Sequence, residues 1–324
     1  MRYFMENKVT SYFSKTQAME GIEVVGIGQA CIDYIAPAPF FPKEDGKVKL
    51  KELYIKCGGP VATALVTLSR LGIKTAYIGA VSDDSFGKRI LDTLKKEKVD
   101  TTYTKVIKGY RSQFAFIVVT TGGKRTIFWI PSSFPEISAS EIDISQFPDV
   151  KVIHLDELML QASIEAAKQA KKRGITVTID ADSLKEGIEK LFSFADILII
   201  PESLAKALEP NKSADQILKS LKSFGASQVV ITLGEKGSIG YDGKTYYYQK
   251  AYKIDAVDTT GAGDVYHGAY IYGLVKGWDM KRCMKFASLC AAIKCTKFGA
   301  QEGIPTKNHP DILKFLNKSN FFDF

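Results

Sequence analysis

The run DTTGAGD at residues 258–264, followed by VYHGAYIYGLV, combines two things that phosphoryl transfer needs. Gly261, Ala262 and Gly263 leave three successive backbone amides unobstructed at a predicted helix N-terminus. Unpaired N–H groups and the positive end of the helix dipole favour an anion there. Asp264 falls within the first turn, where a carboxylate can face a substrate hydroxyl beside that anion. An ordinary glycine-rich loop with Asp264 as a helix-start residue is the alternative reading of the same run.

A second motif, GGPVATALVTLSRLG, spans residues 58–72. Gly58 and Gly59 permit close backbone approach, and Pro60 suits a first helical position. Val61, Leu65, Leu68 and Leu71 form a helical apolar stripe that ends at Gly72. With both motifs in view, the chain resembles the ribokinase-like sugar kinases of the PfkB carbohydrate kinase family, from about Glu23 to about Pro305. Thr63 stands where that family commonly has Asn.

The resemblance implies roles for further residues. Asp33, just past the first strand in GIGQACID, matches an Asp that accepts hydrogen bonds from sugar hydroxyls, with Gly58, Gly59 and Thr63 around the same substrate. HLDEL, residues 154–158, falls on a sugar-contacting segment, so Glu157 or Asp156 meets a substrate hydroxyl. VVITLGEKGSIGY, with Thr232, Gly234 and Gly237, resembles the nucleotide loop, with a plain hairpin turn as the alternative. Lys297, Gly299 and Ala300 fall near the adenine end. Asp258 and Thr260 match positions that in many relatives hold a monovalent cation such as K⁺. ATP and Mg²⁺ are the implied cofactors. Two strand-end carboxylates, Asp180 and Asp182, suit Mg²⁺ held through waters, and a polar exit from the strand suits them equally. Where the family usually shows an NxxE magnesium motif, Pro201 and Leu204 replace its Asn and Glu, which leaves Glu202 as the substitute. His154 reads as a core histidine, and His267 as a residue that packs on the motif helix.

These residues need a scaffold that brings distant segments together. EVVGIG, TAYIGAV, VIHL, TVTID, ILII and VVITL are apolar, β-branched-rich runs of strand length, and SIEAAKQAKKR and SADQILKSLKSF are amphipathic helices between later ones. The alternation predicts an α/β fold of the ribokinase-like kind, with a mostly parallel central sheet flanked by helices on both faces and its site at the carboxyl ends of the strands. Segments 33–56 and 112–131 are hairpin-like and in the family form a small β lid. Alternation of Phe114, Phe116, Ile127 and Trp129 predicts one apolar lid face, which covers the sugar or pairs with a second subunit as a homodimer. Residues 1–20 read as an N-terminal extension and 21–324 as one kinase domain.

Composition narrows the remaining classes. The chain has 324 residues, 45% hydrophobic and 25% charged, enough for a large core. The net charge of +8 is scattered over helices, with no basic tract interleaved with aromatics, so nucleic acid is not expected as a partner, while a positive field favours an anionic nucleotide. Five cysteines without a CxxC pair fit a reducing cytoplasm better than disulfides or zinc. The first twenty residues lack an apolar core for a signal peptide or membrane span. Gly26 and Gly28 begin a dinucleotide fingerprint that Cys31 breaks, and no GxxxxGK[ST] loop occurs. The expected function is an ATP-dependent kinase acting on a primary sugar hydroxyl, fructose first. Ribose, 2-keto-3-deoxygluconate or a nucleoside stay open as acceptors, as does a non-catalytic sugar sensor on the same fold.

Overall fold

The computed structural model describes residues 20–318, so residues 1–19 of the expected extension lie outside it. In chain order the strands are β1 (Val24–Ile27), β2 (Cys31–Pro37), β3 (Tyr54–Gly58), β4 (Thr75–Ile78), β5 (Ala80–Ser82), β6 (Val99–Asp100), β7 (Lys105–Ile107), β8 (Phe114–Val119), β9 (Arg125–Ile130), β10 (Val152–Asp156), β11 (Thr176–Asp180), β12 (Ile197–Pro201), β13 (Gln228–Thr232), β14 (Ser238–Tyr241) and β15 (Tyr246–Gln249). The helices are α1 (Pro60–Arg70), α2 (Ser85–Lys96), α3 (Leu160–Lys172), α4 (Ile188–Phe192), α5 (Glu202–Leu208), α6 (Ala214–Lys222), α7 (Ala262–Val275), α8 (Met280–Lys294) and α9 (Pro310–Lys318).

The large sheet has the order β15-β14-β13-β12-β11-β10-β1-β4-β6. Every pairing from β6 to β13 is parallel, and β14 and β15 finish the sheet antiparallel. Strands covered by helices on both faces must be apolar throughout, and β1, β4 and β10 are buried along their whole length. TAYIGAV is two strands rather than one. The Tyr77 ring lies where a Cβ on Gly79 would stand, and the chain turns there so that β5 pairs with β7 in a separate ribbon.

From β1 the chain steps to β4 on one side and later returns through β10 on the other. This reversal opens a crevice at the carboxyl ends of β1 and β10, where ligands of such sheets bind. Helices α1 and α7 cross close together: a Cβ on Gly268 would lie 2.6 Å from the Ala64 carbonyl oxygen. After its first turn α7 is buried from Val265 to Gly273, as befits a helix apolar on all sides.

A separate four-stranded sheet, β3-β2-β8-β9, forms the lid, with β2 and β8 parallel and both outer pairs antiparallel. Its register corrects the expected apolar face. Phe114 and Phe116 pair with Ile130 and Phe128, whereas Trp129 and Ile127 pair with Ala115 and Ile117 on the opposite face, beside Asp33 and Ile35. Both faces of β9 are apolar and exposed, from Ile127 at 48% to Ile130 at 41%. All five cysteines are buried and free, and no helix among the described residues is long and apolar enough to cross a membrane.

Candidate active site

Gly261 caps α7 in the left-handed region, at φ 76°, and a Cβ there would sit 2.8 Å from Ala300 Cα, so the turn requires glycine. No side chain caps the helix. The Ala262 amide donates at 3.2 Å to the Thr259 carbonyl, and no backbone hydrogen bond among the described residues ties the amides of Gly261 or Gly263. A Cβ on Gly263 would meet nothing within 4 Å. The cradle for an anion is therefore open. Asp264 follows in the first turn, half-buried, and its carboxyl is pushed up to about 7 by burial and then by the charges of Asp180 and Asp182, against smaller opposing effects of His267 and Arg125.

Asp33 projects from β2 and is only 3% exposed. Its Oδ1 accepts from Cys31 Sγ at 3.1 Å. Burial raises its carboxyl to about 7; the Cys31 contact opposes that, and the nearby Asp264 charge adds to it. Any side chain at position 58 would collide with this carboxylate, so Gly58 is what lets Asp33 lie across β3. Gly59, at φ 96°, brings α1 within 2.6 Å of the Ala30 backbone, measured from the Cβ it lacks. Thr63, expected beside the same substrate, is wholly buried in α1 and its Oγ1 has no hydrogen-bond partner.

The acids of HLDEL bind backbone amides of neighbouring segments. Asp156 is wholly buried, accepts from the Gln29 amide at 2.6 Å and the Leu158 amide at 3.0 Å, and so bridges the β1 and β10 exits. Glu157 Oε1 accepts from the amides of Asp182 and Ser183 at 3.1 and 3.0 Å and from Ser183 Oγ at 2.8 Å. These three bonds brace the loop after β11 and all fall on one oxygen of the residue expected to meet the sugar. His154 is a core histidine, as expected, with Nδ1 3.0 Å from Thr178 Oγ1. His267 packs and also does more: its Nε2 lies 3.1 Å from Asp180 Oδ1. Burial holds His267 down at about 4 and pushes Asp180 well above the carboxylate range, so the imidazole is neutral. The i,i+3 spacing from Asp264 is the sequence signal that foretells a histidine under the base.

Asp180 Oδ2 is a buried carboxylate oxygen without a hydrogen-bond partner, and Asp182 is exposed just beyond it. An oxygen-seeking ion that keeps most of its waters fits this pair. Glu202, the expected substitute for the magnesium motif, forms an i,i+4 ion pair with Lys206 at 2.6 Å.

On the nucleotide side, Thr232 ends β13 and the chain turns through Gly234 (φ 59°) and Gly237 (φ 108°) into β14. This is hairpin geometry, and a Cβ on Gly237 would strike the Gln249 carbonyl. Lys297 is exposed. Gly299, at φ 99°, donates its amide to Asp258 Oδ2 at 2.9 Å, while the Thr260 amide donates to Oδ1 at 2.8 Å. Lys294 Nζ donates to the Asp258 carbonyl oxygen at 2.8 Å, which places a lysine side chain at the corner expected to hold a monovalent ion. The lid reaches the same loop. The Gly123 carbonyl accepts from Thr259 N at 3.2 Å and Thr259 Oγ1 at 2.8 Å, and an Arg125 guanidinium N–H donates to Thr259 Oγ1 at 3.0 Å. Neither Lys294 nor Arg125 stands out in the sequence; segment 112–131 reads as hairpin-like there, but nothing in it names Thr259 as its target.

The family model of the pfkB carbohydrate kinases matches residues 22–307. A ribokinase from Haemophilus influenzae is 30% identical over 302 residues, covering 90% of this chain and 97% of its own. Fructokinase-2 from Solanum lycopersicum is 28% identical over 312 residues, covering 87% and 93%. The structure of Arabidopsis thaliana ribokinase complexed with ribose and ATP superposes with a TM-score of 0.76 at 22% identity, over 91% of this chain and 99% of that one. The chain belongs to the pfkB family of carbohydrate kinases. It is a phosphotransferase with an alcohol group as acceptor, of the ribokinase and fructokinase type.

Proposed function

We propose that the acceptor is the primary hydroxyl of fructose, giving fructose 6-phosphate, and that the donor is ATP. The observation that carries the mechanism is the open amide cradle at Gly263 with Asp264 in the same first turn of α7, together with the buried Asp33 carboxylate that Gly58 admits. Asp33 holds sugar hydroxyls on the face that also presents Ile35, Ala115 and Ile117. Asp264 takes the proton of the attacking hydroxyl, and the amides of Gly261 and Gly263 receive the charge that develops on the transferred phosphoryl group. Asp180 and Asp182 would hold Mg²⁺ through its waters; that ion supplies charge neutralisation for the phosphates. The nucleotide lies along the 232–237 hairpin and the Gly299 turn, and the apolar lid excludes water. Ribose is the second reading, favoured by the ribokinase relative at 30% identity. An ADP-release assay over fructose, ribose, 2-keto-3-deoxygluconate and nucleosides tests the choice. Release with none of them overturns the choice of acceptor. The exposed run Ile127, Phe128, Trp129 and Ile130 supports pairing of two copies through their lids.

Replacing Asp33 by Ala is expected to raise the sugar KM by about 30-fold, the equivalent of ~2 kcal/mol for lost charge-assisted hydrogen bonds. The KM for ATP should change little. A selective ATP defect would place the sugar at the other end of the cleft.

The pH profile follows from the same two acids. A carboxyl with its pKa raised to about 7 is protonated and inactive as a base below that value and ionised above it. Turnover per bound sugar should therefore climb with pH up to ~7 and then level. The slope should be about one decade per unit if Asp264 alone must ionise, and steeper if Asp33 must too. A profile flat down to pH ~5 would mean that no elevated carboxyl is the base.

A further inference from the structure

Lys294 is the last residue of α8 and is wholly buried, an unusual place for an ammonium group. Its Nζ donates to the carbonyl oxygen of Asp258, whose carboxylate is fixed by the amides of Thr260 and Gly299. Burial draws the lysine down from its usual value, while the charges of Asp258 and Asp264 favour its protonated form and that of Arg125 opposes it. The carbonyl and carboxylate of one residue, beside the buried and unpartnered Oγ1 of Thr260, form the kind of oxygen-rich corner that attracts a singly charged ion. Three residues later the chain enters the Gly261 turn. Whatever fixes Asp258 also fixes the amides that follow.

We propose that the Lys294 ammonium is a built-in monovalent cation that holds the Asp258 loop, and with it the anion cradle, so that this protein needs no K⁺. This rests on the assignment of residues 261–263 as the phosphate cradle. Lys294 acts through the loop and is a positioning residue.

The test compares wild type, Lys294→Ala and Lys294→Met in K⁺, NH₄⁺ and tetramethylammonium at matched ionic strength, reading both melting temperature and turnover. Wild type is expected to melt and turn over alike in all three. Lys294→Ala should lose on the order of 10²-fold in kcat in tetramethylammonium with its sugar KM kept, as misplaced transition-state contacts predict. K⁺ or NH₄⁺ should restore most of that rate and raise its melting temperature by entering the vacated space. Lys294→Met, which fills the space without charge, should gain neither. A wild-type rate that rises severalfold with K⁺ overturns the proposal, and this comparison stands even if a variant fails to fold. A Lys294→Ala protein indifferent to K⁺ in both readouts overturns it too. Absence of turnover with every sugar in every cation would sink the kinase reading alone, since the melting comparison still decides the cation.

Discussion

Asp264→Asn is expected to lower kcat by on the order of 10² to 10⁴ while sugar and ATP still bind, because a positioned general base contributes that much and an amide cannot take the proton. The variant is nearly isosteric at a half-buried helix-start position, and it removes a carboxyl that lies near Asp33, Asp180 and Asp182. Relief of that crowding should leave the fold at least as stable as wild type. The informative measurement is single-turnover phosphorylation together with equilibrium binding of each substrate. Turnover within a few-fold of wild type would take the base role away from Asp264.

Gly263→Val should lose ~3 kcal/mol or more of transition-state stabilisation with sugar affinity intact. The prediction is sharp because the protein has room for the new side chain. A Cβ at this position meets no protein atom within 4 Å, and its backbone is not in the left-handed region. The space that valine would fill is the space assigned to the phosphate. Gly261→Ala makes the contrast, since φ 76° and Ala300 at 2.8 Å demand that the backbone itself shift. The first variant should therefore melt near wild type and turn over poorly, and the second should also melt lower. Equal losses of sugar binding and rate in Gly263→Val would point to misfolding.

The large sheet was readable because parallel strands covered on both faces must be continuous apolar runs, and VVGI, VIHLD and TVTID are such runs. The anion turn was readable because its amides, glycines and acid lie within seven consecutive residues. The roles that escaped the sequence depend on partners far along the chain. Asp156 and Glu157 look open to a substrate until the amides of Gln29, Asp182 and Ser183 arrive from other elements. Thr63 sits in the right motif, and only the packing shows that its hydroxyl is buried without a protein partner. The lid face went wrong for a geometric reason: strand alternation tells which residues of one strand share a face, and only the pairing register tells which face of its neighbour they join. Lys294 resembles any helix-end lysine until its neighbours remove the water.

Gly123 and Arg125 fasten the lid to Thr259, in the loop that leads into the proposed phosphate turn. If the sugar draws the lid down over the proposed site, it also settles the turn proposed to receive the phosphate, and its binding then sharpens the nucleotide's. Linkage is reciprocal, and the nucleotide must tighten the sugar by the same factor. Severing the clasp would then weaken that mutual tightening and let ATP meet water more readily.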